Sequence, residues 1–174
     1  LLTQAETHEL QHHISRTKGQ AYQIIGTVDL DSTDTSPTIL HLRNISQTRF
    51  CIITFYRFQS ASLGGGLAIP NSNNYFQFGT GTTYVSGGAT ATPVNSNFAS
   101  ANTAEVTAFT DNPSTSGTFT ELDRYYTNDN TQERFEKQGS IILGTNDALE
   151  VRFVGDNDSG AVYTRVTFLM TAFD

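Results

Sequence analysis

Tryptophan is absent from this sequence, cysteine and methionine occur once each, and lysine occurs only at Lys18 and Lys137. Each scarcity excludes something. A single cysteine cannot close a disulfide within the chain or build a thiolate metal cluster. Ten cations against 17 carboxylates leave a net charge of −7. Nucleic acid and anionic membrane surfaces both call for clustered cations, so neither is expected as a partner. No apolar run approaches the roughly 20 residues that a membrane helix requires. Charged residues make up 16% of the chain and aromatics 11%. A disordered chain carries more of the first and fewer of the second, so a folded core is expected. Ser and Thr fill the gap, with 40 residues between them. A chain of 174 residues is one ordinary domain and buries roughly two thirds of its unfolded surface without staples.

Helical periodicity is almost missing. Only Leu1 to Ile14 has helix-forming character, and its apolar positions fit one stripe poorly, so residues 1–18 read as an N-terminal arm. Residues 19–174 read as a single β domain. Strands are expected at Gln20–Leu30, Thr38–Asn44, Arg49–Gln59, Thr103–Thr110, Gly139–Leu143, Ala148–Val154 and Ala161–Phe173, with weaker ones between Tyr75 and Val85. Leu149, Val151 and Phe153 alternate with Glu150 and Arg152, the mark of one buried and one wet face. Arg49–Gln59 is nearly continuously apolar and reads as a buried central strand. Many short strands without intervening helices predict an all-β, antiparallel sandwich of jelly-roll type. Asp111–Gly117 reads as a breaker cluster and Glu121–Lys137 as a solvated, mixed-charge loop.

No charged residue occurs from Phe58 to Ala104, and the segment holds seven of the 14 glycines. It reads as a long uncharged insertion. Interleaved aromatics and a depletion of charge also suit a surface packed against another subunit.

The candidates for chemistry are weak. His8-Glu9-Leu10-Gln11-His12 matches the zinc-binding pattern H-E-x-x-H. It lacks a third ligand, and Ser15 and Lys18 stand where a longer zinc motif wants Gly and His. Asp156-Asn157-Asp158-Ser159-Gly160 starts like a calcium loop, but Thr167 occupies the position of the closing Glu. Asp29, Asp31 and Asp34 read as a solvated turn. Cys51 lies in the most apolar strand and reads as a small hydrophobe. Glu121 with Asp123, and Glu133 with Glu136, read as solvated charges rather than a glycosidase pair. Gly64–Gly66 lack the Lys and Ser/Thr of a phosphate loop. No metal, no cofactor and no enzymatic activity are expected.

The order of features resembles a family of small virion proteins of tailed bacteriophages, of the capsid decoration or cement type. Glu6, His8, Glu9 and His12 followed by Gly19-Gln20-Ala21-Tyr22 look like that family's opening. Asn97, Ser100, Thr103–Thr110, Asp111-Asn112-Pro113-Ser114 and Gly117-Thr118 are similar to its middle. Leu143, Asn146, Leu149–Phe153, Asn157, Ser159-Gly160 and Phe173-Asp174 are similar to its end. The resemblance implies a jelly-roll sandwich on the surface of a phage particle, made in the host cytoplasm, often trimeric and without enzymatic role. Its partners are then a second copy of itself and the major capsid protein or another virion protein. The alternative is a tail or neck accessory protein that binds a receptor or glycan. Residues expected at a subunit or capsid interface are Glu6, His8, His12, His13, Arg16 and Lys18 in the arm. Leu67, Ile69, Tyr75, Phe76, Phe78 and Tyr84 join them from the uncharged segment.

Overall fold

Eleven antiparallel strands form two sheets in the computed structural model, which describes residues 14–30, 36–61, 74–126, 132–155 and 160–172. They are β1 (Ala21–Leu30), β2 (Thr38–Asn44), β3 (Arg49–Ala61), β4 (Tyr75–Ser86), β5 (Ala89–Thr90), β6 (Val94–Asn95), β7 (Val106–Thr110), β8 (Ser114–Tyr126), β9 (Gln132–Leu143), β10 (Ala148–Val154) and β11 (Gly160–Ala172). One sheet runs β6-β1-β11-β3-β9 and the other β5-β7-β2-β10-β4-β8. With the three short strands β5, β6 and β7 set aside, eight remain. In chain order they pair as first-eighth-third-sixth in one sheet and second-seventh-fourth-fifth in the other. That order is a double Greek key, the jelly roll.

The short strands come from the segment between β4 and β8. β7 pairs with β2 and β6 pairs with β1. One connection therefore covers the same lateral edge of both sheets, where unpaired backbone groups would otherwise invite another chain.

The core lies between the sheets. From β10 it takes Leu149, Val151 and Phe153; from β11, Val162, Val166, Phe168 and Met170. β3 carries a bulge at Thr54, where the register against β11 skips from Ile53–Phe168 to Phe55–Thr167. The bulge moves the inward positions from Cys51 and Ile53 to Tyr56 and Phe58. The run looks continuously apolar because Phe50, Ile52 and Phe55 occupy its other face. Tyr56 stacks on Phe78 with ring centroids 4.4 Å apart, and Phe58 on Phe76 at 4.7 Å. Near β1 the sheets close on one another. Thr110 Oγ1 accepts from the Thr27 amide at 2.7 Å and lies 2.9 Å from the carbonyls of Thr27 and Ile39.

Two expectations are corrected. Ser114–Tyr126 is not a breaker and loop but a full edge strand paired to β4, and β9 begins at Gln132 rather than Gly139. An edge strand needs only one paired neighbour, and most of β8 is exposed, so its sequence carries little apolar signal. The uncharged segment 58–104 divides among the end of β3, all of β4, and β5 and β6; its residues 62–73 lie outside the described residues. Residues 14–18 form a single π-type turn whose Ile14 is buried against Ala21 and Leu169.

Candidate functional site: the outer sheet faces

The outer face of the β6-β1-β11-β3-β9 sheet is apolar at one end. Register places Ile52 between Leu169 and Ile142, with Phe50 two residues along the same face. Ile14 caps Leu169, and Ile52 packs against that small cluster. Ile142 remains 54% exposed and Phe50 37% exposed. The described residues begin with Ile14 at this end; Glu6, His8, His12 and His13 lie outside them. Of the remaining arm candidates, Arg16 lies in the π-type turn, and Lys18 is exposed with its carbonyl accepting from the Asn102 side chain at 2.7 Å.

The outer face of the other sheet carries two features. At one end Tyr75 and Tyr126 pair with ring centroids 5.4 Å apart, and the Arg124 guanidinium lies 4.3 Å from the centre of the Tyr75 ring. Arg124 makes a two-pronged bond to Glu121, both prongs at 2.8 Å, and Gln77 also donates to Glu121. Those bonds hold the Glu121 carboxyl below its ordinary range. Asp123 accepts from the Arg124 backbone amide at 3.0 Å. A bulge at Leu122 turns it inward, where it accepts from Tyr56 at 3.1 Å and from Tyr125. Burial and the adjacent Tyr125 and Asp123 push the Tyr56 phenol far up. Glu121 and Asp123 thus serve opposite faces of β8.

Farther along that face lies a polar cluster that the alternation of β10 had assigned to solvent. Glu150 is 0% exposed. It accepts from Thr38 Oγ1 at 2.5 Å, from Arg152 Nε at 2.6 Å, and from Thr82. Burial works to raise its pKa, but the bonds from Arg152, Thr38 and Thr82 outweigh it, and the carboxyl sits below its ordinary range. His41, also buried, faces the Thr82 carbonyl at 3.4 Å, and its Nδ1 has no partner. Burial lowers the His41 pKa. The covering comes from a bend of β4 and β8. Gly81 and Gly117 lie against each other with φ of 91° and 96°, and the register skips between Thr80 and Thr82. Only glycine tolerates that backbone readily. The bend brings Thr82 and Thr115 over Glu150, and Phe119 beneath the Arg152 guanidinium at 4.2 Å. Glu150 and His41 are sealed, Arg152 keeps one side to water, and the cluster pins the β4–β8 ribbon.

Of the interface candidates in the uncharged segment, Phe76 and Phe78 are corrected. They lie in the sandwich core at 1% and 0% exposure, where no partner reaches them. Tyr75 is half-buried on the outer face. Tyr84 stacks flat on Phe109 with centroids 3.5 Å apart. Leu67 and Ile69 lie outside the described residues, as do Asp31, Asp34 and 156–159. Cys51 is fully buried, and burial pushes its thiol up, opposite to what a nucleophile needs. A further hollow of about 330 Å³ separates Tyr22 from the connection that carries β5 and β7. Its lining holds no charged side chain.

No protein-family model matches the chain, and no curated protein matches it.

Proposed function

We propose that this chain is a non-enzymatic structural protein of a tailed-bacteriophage virion, a capsid decoration protein that binds the assembled head and stabilises it as a homotrimer. The observation that carries the reading is the apolar end of the outer face of the β6-β1-β11-β3-β9 sheet. Ile142, Phe50 and Ile52 form an apolar patch on the sheet, beside the buried Ile14. An apolar patch on a sheet face is suited to docking onto a flat protein surface. The jelly-roll strand order agrees with the resemblance drawn from the sequence.

Co-sedimentation of the purified chain with virions that lack it tests the reading. The native chain is expected in the particle pellet. Ile142→Asp, which changes an exposed side chain and leaves the core intact, is expected in the supernatant, as is a chain without residues 1–13. Pelleting of both variants like the native chain would overturn the role. Sedimentation equilibrium gives the oligomeric state independently.

A second reading has its own observation. Tyr126, 62% exposed, with Tyr75, Arg124 and Gln77, makes an aromatic and hydrogen-bonding strip on the other sheet. Such a strip suits a glycan, whose apolar ring faces stack on aromatics while its hydroxyls bond to polar neighbours. A tail or neck accessory role would follow. Retention on a glycan array that Tyr126→Ala abolishes would favour it over the capsid role.

A further inference from the structure

The other half of the outer β6-β1-β11-β3-β9 face is cationic. Register sets Ile25 opposite Arg165, Arg165 opposite Arg57, and Arg57 opposite Arg134. Three of the chain's eight arginines thus occupy one row across β11, β3 and β9. Arg57 alternates with the inward Tyr56 and Phe58, and Arg165 with the inward Thr164 and Val166, so both belong to the outer face. Like charges directly opposite in a sheet repel. The remaining arginines with described side chains have relieved their charge or found a bond: Arg43 on Asn146, Arg49 on Glu105, Arg124 on Glu121, Arg152 on Glu150. Arg57 and Arg165 have no ion pair among the described residues, and Arg165 Nε is buried without a partner. Ile25, Arg57, Gln59, Tyr163, Thr164 and Arg165 line a cleft of about 120 Å³ at this place.

We propose that Arg57 and Arg165 bind a carboxylate side chain of an acidic partner protein. Among the described side chains neither Arg57 nor Arg165 meets a carboxylate, so a partner can supply one. A pocket for a whole small ligand holds about 300–1,000 Å³, so this cleft takes a side group of a larger partner. The guanidinium fork matches a planar carboxylate in two-pronged fashion, and Ile25 and Tyr163 offer apolar surface to its methylene stem. A polyphosphate carries its charge along its backbone and has no single side group to seat in a cleft of about 120 Å³. An arginine row continuous with an apolar patch has the make-up of a protein interface. The partner's being a particle protein rests on the docking role proposed above; the carboxylate chemistry does not.

The test uses the full chain labelled with ¹⁵N and reads the Nε–Hε resonances of arginine. Hexaglutamate is the probe, with hexaglutamine and inorganic polyphosphate as comparators. Hexaglutamate is expected to shift the Arg57 and Arg165 signals saturably, less so as salt screens the contact. Arg165→Gln is expected to weaken the apparent affinity by about tenfold or more, in line with loss of a charge-assisted bond. If that variant does not fold, Arg57→Gln reads the same cleft from a different strand. Absence of saturable shifts, an affinity unchanged in the folded variant, or equal response to hexaglutamine overturns the proposal. So does tighter binding of polyphosphate. The docking role fails separately, in the sedimentation of Ile142→Asp, since no particle enters this titration.

Discussion

Replacing Glu150 by Gln keeps the shape of the side chain and removes its buried charge from the polar cluster on the outer face of β10. Three groups would feel it: the Arg152 guanidinium loses its counter-charge, and the hydroxyls of Thr38 and Thr82 compete for one remaining acceptor. A hydrogen bond to a charged group contributes about 1.5–3 kcal/mol. Breaking a fully buried pair costs about 3–5 kcal/mol. The Arg152 side chain keeps 23% exposure, so water recovers part of its charge and the lower range applies. We expect Glu150→Gln to lose about 2–3 kcal/mol in urea unfolding at neutral pH. Replacing both Glu150 and Arg152 by Leu is expected to cost less than Glu150→Gln alone, because no charge is then left unpaired. The pH dependence carries a second signature. Because the folded carboxyl titrates below its ordinary range, its contribution is complete above the unfolded pKa of about 4.3 and is lost as pH falls through the folded value. His41 also titrates below its ordinary range when folded. Its neutral form is favoured in the fold, so stability begins to fall as pH drops below about 6.5. Glu150→Gln should therefore shrink the strongly acid part of the stability loss, leaving the share of Glu121, and keep the part that starts near pH 6.5. A variant within about 0.5 kcal/mol of the native chain, with the same acid limb, would refute the reasoning.

Gly26→Ala should destabilise by about 1–3 kcal/mol through overpacking, because its Cβ would fall 2.5 Å from the Ile39 carbonyl oxygen and 2.8 Å from Leu40 Cβ; calorimetry checks it, and an unchanged melting temperature contradicts it. Cys51, buried with its thiol pushed up, should resist a thiol reagent in the native chain and react stoichiometrically only in denaturant. Fast native labelling would place the sulfur at the surface instead.

How much of this was legible in the sequence depended on what each strand packs against. β10 and β11 alternate cleanly because each has one face on the core, and both were readable. β3 was readable as central because both of its faces bear apolar groups. β8 was not, since an exposed edge strand leaves polar residues at most positions. In Tyr75-Phe76-Gln77-Phe78 the period of two was present and assigns both phenylalanines to one face, yet the uncharged surroundings drew them toward an interface. The polar cluster was hidden for another reason. Glu150 and Arg152 spell a wet face, and only the bend at Gly81 and Gly117 covers them. The arginine row was beyond reach of any local pattern. Arg57, Arg134 and Arg165 are far apart in sequence, and the bulge at Thr54 is what sets their register.

The central claim is that this jelly roll coats a phage head, and the copy number of the chain in purified virions tests it most directly. Quantitative mass spectrometry against the major capsid protein is expected to give an abundance that scales with the capsid lattice. A handful of copies per particle, as at a neck or tail tip, or none in washed virions, would contradict it.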